Sequence, residues 1–418
     1  MSKELKNLAN KNLSFPVPSG EFKIRRIITL EPGEEATLSA DQEAEASELK
    51  EKGLVEDTED GIRNISAKIL SFPVTKKVIS WDKEIVLSPG ESVILTDEQA
   101  AAPAVKKLVD DGEMDDPTDE KGVKGEKGTY ESVKAALLAG ETKIELLEDI
   151  TEQVTIAAGQ SVTLDVAGKT LKSGTTQTGV IENNGELTLT SSKAGGKVIA
   201  TKNFAIISRT DSRLVIEKSD IYVEGVEGAV ITGKATNADI TIKGGKFKAI
   251  DNAVIMGNGS KGFGKNKITI AGGEFESNIK SAGYIACAIY APTDDTVVVK
   301  GGTFKAVGGC GILARAGYVT VSGGTFECTG TAEGFVGDSK NTVPSAALVF
   351  DTNAAYPQLT DDAFLKVANG TFKSDVDAIA CVGEKRIEVS GGKFSSDPTE
   401  FLAEGKTATE KDGVWTVA

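Results

Sequence analysis

Residues 297–304 read Val-Val-Val-Lys-Gly-Gly-Thr-Phe, and residues 319–326 repeat the stretch as Val-Thr-Val-Ser-Gly-Gly-Thr-Phe. An alternating apolar strand runs into a glycine corner, and a phenylalanine follows at a fixed offset. The pattern occurs six times and places its phenylalanines at Phe247, Phe275, Phe304, Phe326, Phe372 and Phe394. The spacing between successive members is similar throughout, except that the interval from Phe326 to Phe372 is about twice as long as the shortest one. A recurrence of this length is typical of a solenoid repeat.

Each period contains a third apolar segment, for example at residues 253–255 and 311–313. Three short strands in about 22 residues predict a right-handed, single-stranded parallel β-helix, whose coils stack about 4.8 Å apart. Inward Ile, Val and Phe would fill a narrow core, and the glycines would permit positive φ at the corners. Residues 143–394 are sufficient for roughly ten coils, and the long interval after Phe326 fits either two coils or one coil with an insertion. Helical periodicity at 130–139 predicts a cap on the first coil, and residues 401–417 should close the other end.

The N-terminal part contains a duplication with a constant shift. Leu-Ser-Phe-Pro-Val at 13–17 recurs at 70–74, and a Leu-x-Pro-Gly-Glu turn occurs at 30–34 and again at 87–91. Each copy predicts strands around the Pro-Gly turn and then a helix. The helix would be capped by Ser39 or Thr96, with Gln42 or Gln99 at capping-box spacing. It would end at Gly53 or Gly112, since glycine is the usual residue after a helix C-terminus. The fold class is therefore mainly β, with two small β+α modules at 1–62 and 63–116 before the β-helix at 129–418. Modules this small have thin cores and need a twin, an oligomeric partner or a larger surface.

Residues 117–128 have glycine at every third position in their second half, at Gly122, Gly125 and Gly128. The stretch has too little proline for a stable collagen-like helix, which leaves three-chain winding as the alternative to a flexible linker. We therefore predict a flexible linker between the modules and the β-helix.

Composition excludes several function classes. The formal net charge is −15, so the basic surface that nucleic-acid binding needs is missing. No apolar stretch approaches the about 20 residues of a membrane span, and no secretory signal is visible, so synthesis in a cytoplasm is expected. The four cysteines are scattered and are expected to be buried free thiols. We predict neither nucleic-acid nor membrane partners.

The sequence predicts no catalytic residue, metal site or cofactor site. Histidine is absent. The four arginines of the β-helix region, Arg209, Arg213, Arg315 and Arg386, have no aspartate cluster at coil spacing. The pairs at 294–295 and 361–362 fall in turns, where solvated carboxylates are ordinary and calcium ligands are the less favoured alternative.

Three resemblances bear on fold and function. Residues 130–139, 143–147 and 162–171 look like the opening of pectate-lyase-like right-handed β-helices. The Gly-Gly-x-Phe coils and the ending at Trp415 resemble repeats of gut bacterial surface proteins and of tailed-phage structural proteins. The duplicated modules are similar to capsid-attachment regions of phage head fibre or head decoration proteins. These resemblances imply a structural protein of the virion, at the capsid surface, which is synthesised in the host cytoplasm and displays the β-helix.

The same resemblance implies the partners. The modules would bind the major capsid protein or a capsid vertex, and such fibres are commonly homotrimers; the alternative for the modules is a spacer. Candidate anchoring residues are Phe15, Pro16, Phe72, Pro73 and Trp81. Interruptions of the repeat at 258–266 and 332–360 carry Phe263, Phe335 and Tyr356, which could contact a host glycan or protein or simply pack the insertions onto the rod. A bacterial cell-surface adhesin is the alternative function, and a polysaccharide lyase is the third.

Overall fold

The computed structural model describes residues 2–7, 13–16, 20–38, 42, 45–58, 61–66, 68, 70–80, 84–87, 89, 91–110, 114–115, 122–174, 179–278, 285–337, 340–354 and 356–418. Two compact units are present, Met1–Glu120 and Lys121–Ala418. They are described separately below.

The second unit is a parallel β-helix, as the repeat predicted. Its first sheet contains the parallel strands Lys143–Leu146, Ser161–Asp165, Glu186–Thr190, Arg213–Ile216, Asp239–Ile242, Lys267–Ile270, Thr296–Val299, Tyr318–Val321, Phe364–Val367 and Ile387–Val389. The second sheet contains Ile150–Thr151, Thr170–Lys172, Gly196–Ile199, Ile221–Gly225, Lys246–Ala249, Glu274–Asn278, Thr303–Val307, Thr325–Thr329, Thr371–Ser374 and Gly392–Phe394. The third sheet contains Val154–Ile156, Gly179–Asn183, Phe204–Ser208, Gly228–Ile231, Ile255–Met256, Cys287–Ala291, Cys310–Ala314, Leu348–Asp351 and Ile379–Val382.

The third sheet sets the number of complete coils. It has nine strands, so nine coils contain all three strands, and the last coil stops after the second sheet. The estimate of roughly ten coils was therefore close. The structure also decides between the two interpretations of the long interval, because Phe326 pairs directly with Phe372. One coil carries an insertion there, which includes the hairpin of Phe335–Val336 with Thr342–Val343.

The six repeat phenylalanines form one column inside the second sheet. Their ring centroids are 4.3 to 5.3 Å apart and the rings are tilted by 6° to 15°, so they stack nearly face to face. Their side chains are almost fully buried. The corner glycines make room for this column. Gly302 has φ +115°, and a Cβ there would lie 3.2 Å from the Phe304 ring and 3.1 Å from the Gly273 carbonyl oxygen.

The cap at the start of the β-helix agrees with the prediction. The helix Val133–Leu138 begins after Ser132, whose Oγ accepts a hydrogen bond from the Ala135 N–H at 3.0 Å. Its apolar face is buried in the core of the β-helix. Gly140, with φ +75°, ends it.

Residues 122–128 correct the prediction of a flexible linker. Val123–Lys124 pairs antiparallel with Thr129–Tyr130 and with the first strand of the first sheet, and Val123 is fully buried. The Glu141 carboxylate helps to hold this segment in a hairpin, because it accepts hydrogen bonds from the N–H groups of Glu126 and Lys127. The glycines serve as turns in this hairpin. Residues 117–121 lie outside the described residues.

The far end of the stack is closed by a hairpin of Ala408–Lys411 with Val414–Val417. The second of these strands runs antiparallel to Gly392–Phe394 and places Trp415 opposite Phe394. A 3-10 turn at Thr399–Phe401 buries Phe401 nearby. Residues 401–417 therefore cap the coil stack as expected.

The first unit contains both modules. Its strands are Ser2–Asn7, Leu13–Pro16, Gly20–Leu30, Glu35–Thr37, Val55–Thr58, Gly61–Asn64, Leu70–Ser80, Glu84–Leu87, Ser92–Thr96 and Met114–Asp115, and its helices are Ser47–Glu51, Asp97–Ala100 and Pro103–Asp110. The two modules share sheets. Gly20–Leu30 of the first copy pairs with Leu70–Ser80 of the second along the full length of both strands.

The capping box of the second module is confirmed. Thr96 N–H donates to Gln99 Oε1 at 3.0 Å, and Gln99 N–H donates to Thr96 Oγ1 at 3.3 Å. The corresponding Ser39 lies outside the described residues, as does Gly112, the predicted end of the second helix. Gly53, with φ +64°, follows the helix of the first module as predicted.

Candidate binding surface

The outer face of the second sheet carries a column of alternating charge. Inward positions hold the phenylalanines, so the next positions along each strand point outward. Strand register stacks the outward charges from coil to coil in the order Glu224, Lys248, Glu276, Lys305, Glu327 and Lys373. Each of the four inner charges therefore faces opposite charges above and below it, and Glu224 and Lys373 at the ends each face one.

Ion pairs link neighbouring coils on this face. Lys248 Nζ lies 3.0 Å from Glu276 Oε1, and Lys373 Nζ lies 3.3 Å from Glu327 Oε1. The Lys248 ammonium group lowers the pKa of Glu276 by hydrogen bonding. Solvent-exposed pairs of this kind are each worth at most about 1 kcal/mol. Their main effect is to hold long side chains in a regular order across a rigid sheet.

A shallow hollow of about 340 Å³ lies on this face. Its polar wall consists of Tyr222, Lys246, Glu274, Thr303 and Lys305, together with the Lys248–Glu276 pair. The volume is at the lower end for small-ligand sites. The hollow presents amines, carboxylates, hydroxyls and the ring of Tyr222, and the repeat residues Phe247 and Phe275 lie at its floor.

Tyr222 is a hydroxyl donor in this hollow. Its hydroxyl group hydrogen-bonds Glu224 of the same strand. Burial raises the pKa of Tyr222, and the hydrogen bond to Glu224 raises it further. The phenol therefore stays protonated at any physiological pH.

The outer face of the third sheet is apolar and covered over the strands Cys287–Ala291, Cys310–Ala314 and Leu348–Asp351. Cys287, Tyr290, Leu313 and Val349 point outward and are buried beneath other parts of the chain. The insertion hairpin contributes Phe335 to the same cluster. This face is therefore a second hydrophobic layer outside the β-helix core, and the repeat pattern did not reveal it.

Arg315 lies within this covered layer and is fully buried. Its Nε donates to Asp351 Oδ2 at 3.1 Å, and its Nη1 donates to Tyr356 Oη at 2.9 Å. The guanidinium carbon also lies 5.1 Å from the centroid of the Tyr356 ring, within cation–π range. The ion pair thus joins two neighbouring coils, because Arg315 follows the strand Cys310–Ala314 and Asp351 ends the strand Leu348–Asp351. The guanidinium group of Arg315 is closed to solvent, and its contacts are structural.

The structure places the predicted contact residues in one region but not as an exposed aromatic surface. Phe335 is buried, and Tyr356 and Phe263 are half-buried. Gln358 Nε2 donates to the Phe263 carbonyl oxygen at 3.0 Å, so the interruptions at 258–266 and 332–360 pack against each other. This is the packing alternative that the sequence left open. Contact with a host ligand stays a prediction.

The predicted anchoring residues are described only through their backbone. Phe15 and Pro16 belong to the strand that pairs with Glu84–Leu87. Phe72 and Pro73 belong to Leu70–Ser80. Trp81 lies outside the described residues, and the side chains of the other four do too.

Asp295 corrects one expectation about the turn carboxylates. Its neighbour Asp294 is half-exposed and Asp361 and Asp362 are exposed, but Asp295 is buried. Asp295 Oδ1 accepts hydrogen bonds from the Asn266 backbone N–H at 2.9 Å and side-chain amide at 2.8 Å. Burial raises the pKa of Asp295. It is a turn-forming group of the corner rather than a solvated one.

Among the described residues, no group of three or more His, Cys, Asp or Glu side chains is placed to hold a metal ion. All four cysteines are free, and Cys287, Cys310 and Cys328 are buried. Burial raises the pKa of the Cys310 and Cys328 thiols. The described part of the chain has no helix that is long and apolar enough to cross a membrane.

Comparison of the chain with protein-family models, with curated proteins and with solved structures finds no match. The fold assignment therefore depends on the strand pairing described above.

Proposed function

We propose that this chain is a structural display protein of a phage virion, with the first unit attaching to the capsid and the β-helix presenting a binding face. The observation that carries this proposal is the charged outer face of the second sheet. Six coils in succession repeat an outward charge on a rigid sheet with a hollow at its centre. A long, regular polar surface suits contact with an extended polar ligand such as a host glycan. Such contact requires no catalytic step.

Attachment is tested with the whole chain. We expect the purified protein to co-sediment with capsids of the phage that encodes it, and a variant without residues 2–115 to stay in the supernatant. Retention of the shortened variant on capsids would remove the attachment role from the first unit. If the full chain fails to bind capsids but coats bacterial cells, the adhesin alternative replaces the virion assignment.

Display is tested separately by glycan-array binding. Lys246→Ala combined with Lys305→Ala removes two amines that line the hollow. Lys366→Ala on the first sheet is the matched control, because it removes an exposed lysine from another face. We expect the double variant to lose glycan binding at least tenfold and the control to retain it. Equal losses in both would show that the second sheet is not the contact face.

A further inference from the structure

The two modules are equivalent in how their strands pair, not only in sequence. In the first module, Glu35 pairs with Arg63. The shift that relates Leu13 to Leu70 makes Ser92 the counterpart of Glu35 and Lys6 the counterpart of Arg63. Ser92 and Lys6 pair with each other in the second module. The strand Ser2–Asn7 therefore occupies in the second module the position that Gly61–Asn64 occupies in the first.

The next strand shows the same relation. Leu70 pairs with Leu30 in the first module. Leu13, the counterpart of Leu70, pairs with Leu87, the counterpart of Leu30. Defined by strand pairing instead of by sequence copy, the first module comprises 20–73, and the second module comprises 77–115 together with the strands Ser2–Asn7 and Leu13–Pro16 of the first sequence copy.

The donated strands fill a defined slot. Ser2–Asn7 lies between two strands of the second module, Ser92–Thr96 on one side and Met114–Asp115 on the other, and both pairings are antiparallel. Leu13 is buried in a cluster with Ile85 and Leu87 of the second module. Without residues 2–16 the slot would expose two strand edges and this cluster.

The sequence explains why the slot is filled from elsewhere. In the first module, the strands that complete it directly follow Val55–Thr58. After Met114–Asp115, the chain instead enters the β-helix, where Val123–Lys124 belongs to the first sheet. The segment in the corresponding position is therefore committed to another unit.

We infer that the second module contains a binding site for an extended peptide, which the strands Ser2–Asn7 and Leu13–Pro16 occupy and which the same segment of a second chain can occupy in trans. The binding mode is strand addition, in which backbone hydrogen bonds provide affinity and alternate side chains provide specificity. Because the ligand is part of the chain itself, exchange of this segment between chains links one chain to the next.

The test uses a chain without residues 2–16 and a synthetic peptide of that segment. We expect amide hydrogens of Ser92–Thr96 to exchange at least tenfold faster in the shortened chain, and the peptide to restore their protection. A peptide of residues 59–73, the counterpart from the first module, should restore it as well. The parent peptide with Leu5→Pro should not, because proline removes a backbone N–H from the strand that pairs with both neighbours.

Amides of Ile62 and Arg63 in the first module provide the internal control, because their partners are unchanged in the shortened chain. Unchanged protection of Ser92–Thr96 after the deletion would overturn the inference. Failure of the parent peptide to restore protection, while Ile62 and Arg63 stay protected, would overturn it too. If the deletion lowers protection throughout the first unit, the inference stands only if the added peptide restores the protection of Ser92–Thr96.

Discussion

Replacing Phe304 by alanine tests the phenylalanine column. Phe304 is fully buried, with Phe275 at 4.7 Å on one side and Phe326 at 4.3 Å on the other. Removing a buried phenylalanine ring costs about 3–5 kcal/mol, because both the transfer free energy and a cavity contribute. We expect Phe304→Ala to lower the free energy of unfolding by that amount. Phe364→Ala is the matched control: Phe364 is half-buried on the outer side, with Tyr318 at 5.5 Å.

A leucine series separates stacking from burial. Phe304→Leu keeps most of the apolar volume and removes two stacked pairs, each worth about 0.5–1.5 kcal/mol beyond area. Phe394→Leu, at the end of the column, removes only one stacked phenylalanine, Phe372 at 4.9 Å. The cost of Phe304→Leu should therefore exceed that of Phe394→Leu by the value of one stacked pair, about 0.5–1.5 kcal/mol.

The assay is urea unfolding followed by circular dichroism, combined with amide exchange of individual coils. Coil-resolved exchange is needed because stability in a solenoid is nearly a sum of coil and interface terms, so a central lesion can open locally. We expect the largest loss of protection in the strands Glu274–Asn278 to Thr325–Thr329. The reasoning is refuted if Phe304→Ala costs no more than Phe364→Ala.

Three further predictions concern buried charge. Asp351→Ala should destabilise the β-helix by about 3–5 kcal/mol in urea unfolding, because it leaves the buried Arg315 without its carboxylate. Burial raises the pKa of Asp295 above 3.8, so its charged form destabilises the fold, and stability is lost as pH rises from the ordinary value through the folded-state pKa. The gain in melting temperature from Asp295→Asn should therefore be larger at pH 7 than at pH 3.5, and an equal gain would contradict this cause. The hydrogen bond from Tyr130 lowers the pKa of Glu141, so that carboxylate stabilises the hairpin at neutral pH and stops doing so as pH falls through its folded-state pKa. The protection factors of the amides of residues 126–127, taken relative to intrinsic exchange at the same pH, should fall under acid in the parent and should already be low at neutral pH in Glu141→Ala.

The sequence was sufficient for the parts of the fold that repeat. A regular coil period places each phenylalanine on the next, so the column, the corners and the inward strand positions follow from spacing alone. The charge column on the second sheet could have been found in the same way, by reading the residue after each phenylalanine from coil to coil. Glu276, Lys305 and Glu327 occupy that position in successive coils.

What does not repeat could not be predicted. Part of the third sheet is covered by insertions that occur once each, and the Arg315 cluster joins residues whose separations, 25 to Tyr290 and 36 to Asp351, follow no common period. The sequence shows Tyr356 as an aromatic in an interruption of the repeat. Only the packing shows that its hydroxyl group meets a buried guanidinium, which makes an apparent contact residue part of a closed structural layer.

The duplication illustrates a second limit. Two copies related by a constant shift establish which strands are equivalent, but equivalence does not say whether a strand completes its own module or the other one. Leu13 and Leu70 have the same neighbours in sequence, and yet Leu70 pairs with the earlier Leu30 of its own continuous stretch, while Leu13 pairs with Leu87, which lies farther away and later in the chain. Loop closure over such a distance costs only slightly more entropy than over a short one, since the cost grows with the logarithm of length. The long-range completion is therefore available at little cost once the following segment is committed to the β-helix. The same small difference makes exchange of residues 2–16 between chains a realistic competitor at high protein concentration.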